Sequence, residues 1–159
     1  MSSDVKAIPE GYHSLTPYLI VSGAADAIEF YKKAFGAREL MRISAPGGKV
    51  GHAEIEIGDS RIMLADEHPE MDARSPEAFG GTPVSLHLYV DDVDAVAQQV
   101  LAAGAKERRP VKDQFYGDRT GSFEDPFGHV WHIATHLEDI APDELQRRAA
   151  EAMKQQGGG

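Results

Sequence analysis

One order of elements occurs twice in this chain, and it constrains the fold more than any single motif. In residues 21–36 the end of an apolar strand runs into an amphipathic helix that stops at Gly36. Residues 90–104 repeat that order with one residue fewer and stop at Gly104. Similar strands surround each helix. Ahead of the first lies 16–22 (TPYLIVS), short and rich in strand formers. After it come 38–45, 50–57 and 60–66, separated by Pro46-Gly47-Gly48 and by Gly58-Asp59, a strong hairpin signal. The second copy reads 84–90 (VSLHLYV), a helix over 93–103, then strands over 106–111, 119–124 and 129–135. A strand, a helix and three strands, written twice, predict an α+β protein of two βαβββ modules with the helices on one face of each sheet.

Finer patterning supports the two helices. In the first, Ala24, Ala27, Ile28, Tyr31 and Phe35 fall at helical spacing, with Asp26 and Glu29 early and Lys32 and Lys33 late, as the helix dipole favours. The second carries Val93, Val96, Ala97, Val100 and Leu101. A further segment, 142–154, places Leu145, Ala149 and Met153 four apart and predicts an added C-terminal helix. The expected organisation is a loose N-terminus (1–12), a first module (13–67), a polar linker (68–83), a second module (84–137), and a C-terminal helix and tail (138–159).

Composition removes several function classes. The 159 residues carry a formal net charge of −10, which disfavours nucleic acid as a partner because phosphate binding needs a basic surface. There are no cysteines, hence no disulfide, thiolate metal site or thiol nucleophile. The N-terminus lacks an apolar signal core and no stretch reaches membrane-spanning length, so the expectation is a cytoplasmic protein with no membrane partner. Phosphate-binding glycine loops, nucleophile elbows and helical HExxH motifs are missing from the sequence.

Three segments carry a family resemblance: SGAADAIEFYKKAFG after the first strand, VDDVDAVAQQVLAAGA after the fifth, and GDRTGSFEDPFGHVWHIATH near the end. With the Phe30-Tyr31 pair and the Asp125-Pro126-Phe127-Gly128 turn, the chain resembles the vicinal oxygen chelate superfamily, which includes glyoxalase I, extradiol dioxygenases and bleomycin-resistance proteins. The resemblance covers residues 15–136. It implies two modules forming a curled mixed sheet around a cleft, and frequent homodimers that share clefts between chains. Metal-dependent members supply one ligand from the first and last strand of each module. Carried across by position, these fall on Thr16, Met63, Ser85 and His132. Only His132 is a strong ligand for a divalent metal, so the usual site is not expected here.

Strand alternation then distributes side chains to the cleft. Thr16, Tyr18 and Ile20 share one face of the first strand, and His52, Glu54 and Glu56 one face of the third. Ser85, His87 and Tyr89 line the fifth, with Val130, His132, Ala134 and His136 on the last, while Trp131 faces the helix. His87 and His132 are the candidate acid/base pair, since imidazole titrates near neutrality. The candidate ligand contacts are Thr16, Tyr18, Ser85, Tyr89, Phe115, Tyr116 and Arg119. Phe115, Tyr116 and Gly117 form a loop able to cover the histidines. Arg119 reads equally as a carboxylate-binding group or as the structural partner of Asp118, Glu124 or Asp125. The His52/Glu54/Glu56 face also reads as the solvated side of an amphipathic strand.

Two functions stay open, and beside them a ligand-free structural dimer. One is a protein that binds a small organic molecule in its cleft with no cofactor. The other is a lyase or isomerase using His87 and His132, with a divalent metal held in a non-standard way by His52, Glu54, His87 and His132 as the fallback.

Overall fold

The computed structural model describes residues 4–157. It contains β1 (Tyr18–Val21), α1 (Ala24–Phe35), β2 (Arg38–Ala45), β3 (Lys49–Ile57), β4 (Ser60–Asp66), a short helix α2 (Pro76–Phe79), β5 (Ser85–Tyr89), α3 (Val93–Ala103), β6 (Lys106–Asp113), β7 (Asp118–Glu124), β8 (Val130–His136) and α4 (Pro142–Gly157). The strands form two four-stranded mixed sheets, ordered β1-β4-β3-β2 and β5-β8-β7-β6. In each, the first and last strands of the module run parallel and the other pairings are antiparallel. The fold is therefore α+β, with the βαβββ order present twice and a C-terminal helix.

The chain divides into two compact units. One runs to Pro83 and includes the Pro126–His129 turn; the other comprises Val84–Asp125 and the chain from Val130 onward. In the first unit, α1 buries Ala24, Ala27, Ile28, Phe30, Tyr31 and Ala34 against the sheet residues Val21, Ala53, Ile55 and Leu64. Phe127 from the returning turn meets Phe30 edge-on at 6.1 Å and Tyr31 at 6.4 Å between ring centroids. This explains why Phe30 is buried although it lies off the stripe read from the sequence. Gly128 sits at φ +89°, and a Cβ there would lie 2.8 Å from the Pro76 side chain, so the turn requires glycine. In the second unit α3 buries Val93, Ala97 and Val100, with Phe123, Trp131 and Ile133 in the core. Trp131 is helix-facing as expected, and its Nε1–H donates to Asp125 at 3.0 Å.

Two expectations are corrected. The first strand is shorter than 16–22: Pro17 has no N–H for the ladder, and only its carbonyl pairs, with the Met63 N–H at 3.0 Å. The sixth strand continues past Val111 to Asp113, because Pro110 sits on an edge strand whose bulges absorb it. The 68–83 linker carries local structure: a 3-10 turn over Pro69–Met71, a bridge between His68 and Ala73, and α2.

Candidate functional site

Sheet register brings the repeat into focus. In the first unit Tyr18 of β1 pairs with Met63 of β4; in the second His87 of β5 pairs with His132 of β8. The sequence offset that carries Tyr18 onto His87 also carries Met63 onto His132 and Asp66 onto Thr135. These pairs are thus the equivalent positions of the two sheets. Thr16 and Ser85, the positions carried across from the family pattern, obey the same offset two residues earlier: Thr16 precedes β1, and Ser85 pairs with Val130 rather than His132.

On the helix-free face of the first sheet, four side chains form one hydrogen-bonded chain. The Tyr18 hydroxyl lies 2.8 Å from His52 Nδ1, His52 Nε2 lies 2.8 Å from Glu54 Oε2, and Tyr12 donates to Glu54 Oε1. The Arg61 guanidinium stands 4.7 Å over the Tyr12 ring. His52 and Glu54 are half-buried. His52, Glu54 and Tyr18 are thus joined on this face, and Tyr12, which falls in the N-terminal segment 1–12, is tied to it. The hydrogen bonds from His52 and Tyr12 hold the Glu54 carboxyl below the usual range. Burial, reinforced by the Glu54 charge, pushes the Tyr18 phenol up.

Tyr18 also stands at the wall of a cavity of about 550 Å³ contained within the first unit. Its apolar lining includes Ile20, Val50, Ala65 and Met71. One end is closed by Asp66, whose carboxylate accepts the N–H groups of Gly23, Ala24 and Val50, each at 2.8 Å. Burial pushes the Asp66 carboxyl up, but these three donors outweigh it and hold it low. Glu67 accepts both the N–H and the hydroxyl of Ser75 at its Oε2. Alternation along β1 pointed to Tyr18 and Ile20. The wall formed by Glu67–Ala73 had no sequence signal beyond a proline-containing polar stretch, because loop packing leaves no periodicity.

The corresponding face of the second sheet carries His87 and His132 with ring centroids 6.0 Å apart. The Ser122 hydroxyl lies 2.6 Å from His132 Nδ1. Burial, with the neighbouring His87 and Arg109 acting in the same direction, pushes the His132 imidazole down, which favours its neutral form. The Tyr89 ring lies 4.9 Å from that of His87, and its hydroxyl donates to Asp118 at 2.8 Å. Asp118 is buried and also meets His136 Nδ1 at 2.7 Å, while His136 Nε2 meets Asp139 at 2.7 Å. Hydrogen bonds to these two carboxylates push the His136 imidazole up. Alternation placed His136 on this face; its bridging role depends on Asp139, beyond the strand, and was not legible.

Arg119 does not join the histidines. It occupies the opposite, helix-facing side of β7, its guanidinium bidentate to Asp94 of α3 at 2.9 and 3.0 Å and 3.0 Å from Asp113. It is a structural ion pair, with partners other than those expected. Phe115 and Tyr116 pack edge-to-face at 5.2 Å in a loop tied to the C-terminal segment, through Leu137 N–H to the Gly117 carbonyl at 2.8 Å and Arg148 to the Phe115 carbonyl at 3.3 Å.

The family's divalent metal does not fit these donors. The paired positions offer a phenol and a thioether in the first unit and two imidazoles in the second. Of the fallback ligands, His52 and Glu54 belong to the first unit and His87 and His132 to the second. No group of three or more His, Asp or Glu side chains arranged to hold a metal ion occurs among the described residues. No helix there is long and apolar enough to cross a membrane.

Comparison with known proteins agrees with this architecture. The profile of the Glyoxalase/Bleomycin resistance protein/Dioxygenase superfamily matches residues 12–133. An uncharacterized protein of Mycobacterium bovis is 44% identical over 149 residues, covering 92% of this chain and 95% of its own. Protein YjdN of Escherichia coli is 27% identical over 140 residues, covering 75% and 92% respectively. Among solved structures, TioX from Micromonospora sp. ML1 superposes with a TM-score of 0.62 at 26% identity, over 79% of this chain and 99% of that one. On its repeated βαβββ order, its turn at Asp125–Gly128 and these matches, the chain belongs to the glyoxalase/bleomycin resistance protein/dioxygenase superfamily.

Proposed function

We propose that this protein binds a small organic molecule on the helix-free face of its first unit, without a metal at the positions metal-dependent relatives use. The observation that carries this reading is the cavity of about 550 Å³, a volume within the range of small-molecule sites. Its wall combines an apolar patch for a flat body with a few polar groups for orientation. Most of those polar groups are fixed by bonds to the protein, so they need no reordering when a ligand arrives. The test uses fragments selected by thermal shift against the full chain. Ala45 is a half-exposed wall residue on β2, and Ala45→Trp should fill the space and abolish the shift without lowering the unliganded melting temperature. Fragments that stabilise Ala45→Trp as well as the parent would place binding elsewhere.

A second reading, a lyase or isomerase, is favoured by the His87/His132 pair. In the neutral tautomer whose Nδ1–H donates to the Ser122 hydroxyl, His132 has Nε2 available as a base. Loss of an α-proton signal from a carbonyl ligand in D₂O, abolished by His132→Gln, is the outcome this reading requires.

A further inference from the structure

The cavity's polar anchor has its hydrogen-bonding direction set from behind. A carboxylate only accepts hydrogen bonds, and Glu54 already receives Tyr12 at one oxygen. The contact at its other oxygen therefore needs the proton on His52 Nε2. In the neutral imidazole Nδ1 is then the acceptor, and the Tyr18 hydroxyl must donate to it. With its proton directed at His52, Tyr18 offers lone pairs to a ligand.

The remaining polar lining has the same bias. The wall holds three carboxylates, Asp66, Glu67 and Glu70, against one lysine, Lys49, whose charge acts on Asp66, and one histidine, His68. The Tyr18 ring adds an electron-rich face, and Ile20, Val50 and Met71 provide apolar surface. A carboxylate or phosphate would meet lone pairs and negative charge at this wall. A protonated amine would meet an acceptor oxygen and net negative charge.

We propose that the first-unit cavity takes small organic cations, an aromatic or aliphatic body bearing a protonated amine, and that Tyr18, pinned by His52 and Glu54, is the acceptor that selects them. This rests on the reading that the cavity is a binding site.

The test uses two probes of matched body and opposite charge, phenethylamine and phenylacetate, titrated into the ¹⁵N-labelled full chain at neutral pH and low salt. Phenethylamine should shift the amides of Ile20, Val50 and Ala65 and bind at least about tenfold tighter than phenylacetate. Tyr18→Phe keeps the ring and removes the acceptor, and should weaken phenethylamine about 5–20-fold while leaving phenylacetate nearly unchanged. Glu54→Gln frees the relay to reverse and should narrow the preference between the probes; an equal loss for both would mark Glu54 as merely structural and contradict the pinning. Phenylacetate binding at the same amides as tightly as phenethylamine would overturn the ligand class while leaving the cavity a binding site. An unchanged preference in Tyr18→Phe would overturn the role of Tyr18. If neither probe moved those amides at millimolar concentration, the binding-site reading would fall, and this inference with it.

Discussion

In the first unit the N-terminus of α1 is held by a carboxylate on the last strand; in the second the N-terminus of α3 is held by a hydroxyl at the equivalent place. Asp66 takes three backbone N–H groups, two from the helix start and one from β3. Thr135 accepts the Val93 N–H at 2.9 Å and donates to the Val90 carbonyl at 2.8 Å, and Asp92 supplies an ordinary cap to Ala95. The faces diverge in the same way. A phenol–imidazole–carboxylate chain beside a cavity stands in one unit, and two imidazoles with a serine stand in the other. The repeated backbone supplies the positions, and each copy has furnished them with different chemistry.

The turns joining the last two strands differ most. Gly58-Asp59 closes β3 onto β4 tightly, whereas Asp125–His129 is long enough to send Phe127 into the aromatic cluster of α1. Phe127→Ala should therefore have the largest effect, about 3–4 kcal/mol in urea unfolding. Loss of hydrogen-exchange protection should be concentrated in α1; equal loss in α3 would break the distinction.

The helix starts give the next largest contrast. Asp66→Ala leaves three partly buried N–H groups without their acceptor and should cost about 2–3 kcal/mol, whereas Thr135→Ala should cost about 1 kcal/mol. Equal costs would show that the extra donors on Asp66 add nothing.

The smallest effect is a pH dependence confined to the second unit. The His136 pKa is raised, so its stabilising share is complete below the unfolded histidine value and fades as pH rises through the folded one. For Asp118 burial opposes ionisation, but hydrogen bonds from His136 and Tyr89 prevail and lower the pKa. Its share is present above the unfolded carboxyl value and is lost as pH falls through the folded one. The urea midpoint of the parent should therefore decline as pH rises past the raised histidine value, and His136→Asn should flatten that decline. A variant with an unchanged slope would assign it to other groups.

The repeat, both helices and most strand faces were legible in the sequence because periodicity and glycine stops are local signals. Tyr18, His52, Glu54, His87 and His132 were assigned to the correct faces by alternation alone. What alternation cannot show is partnership. Arg119 falls on the helix side because β7 begins at Asp118, and its true partners, Asp94 and Asp113, lie on different elements. The cavity wall after β4 and the docking of Tyr12 depend on chain folding back over a sheet, which leaves no pattern in the residues concerned. The positions carried over as Thr16 and Ser85 lie two residues before Tyr18 and His87, the residues that the sheet register sets beside Met63 and His132.

Chemical-shift mapping of a fragment library on the full chain decides whether the first unit binds a small molecule in its cavity. The fragment shifts should converge on Tyr18, Ile20, Val50, Ala65 and Met71 and vanish in Ala45→Trp. Shifts converging instead on His87, Tyr89 and His132, and surviving that substitution, would contradict it and move the function to the second unit.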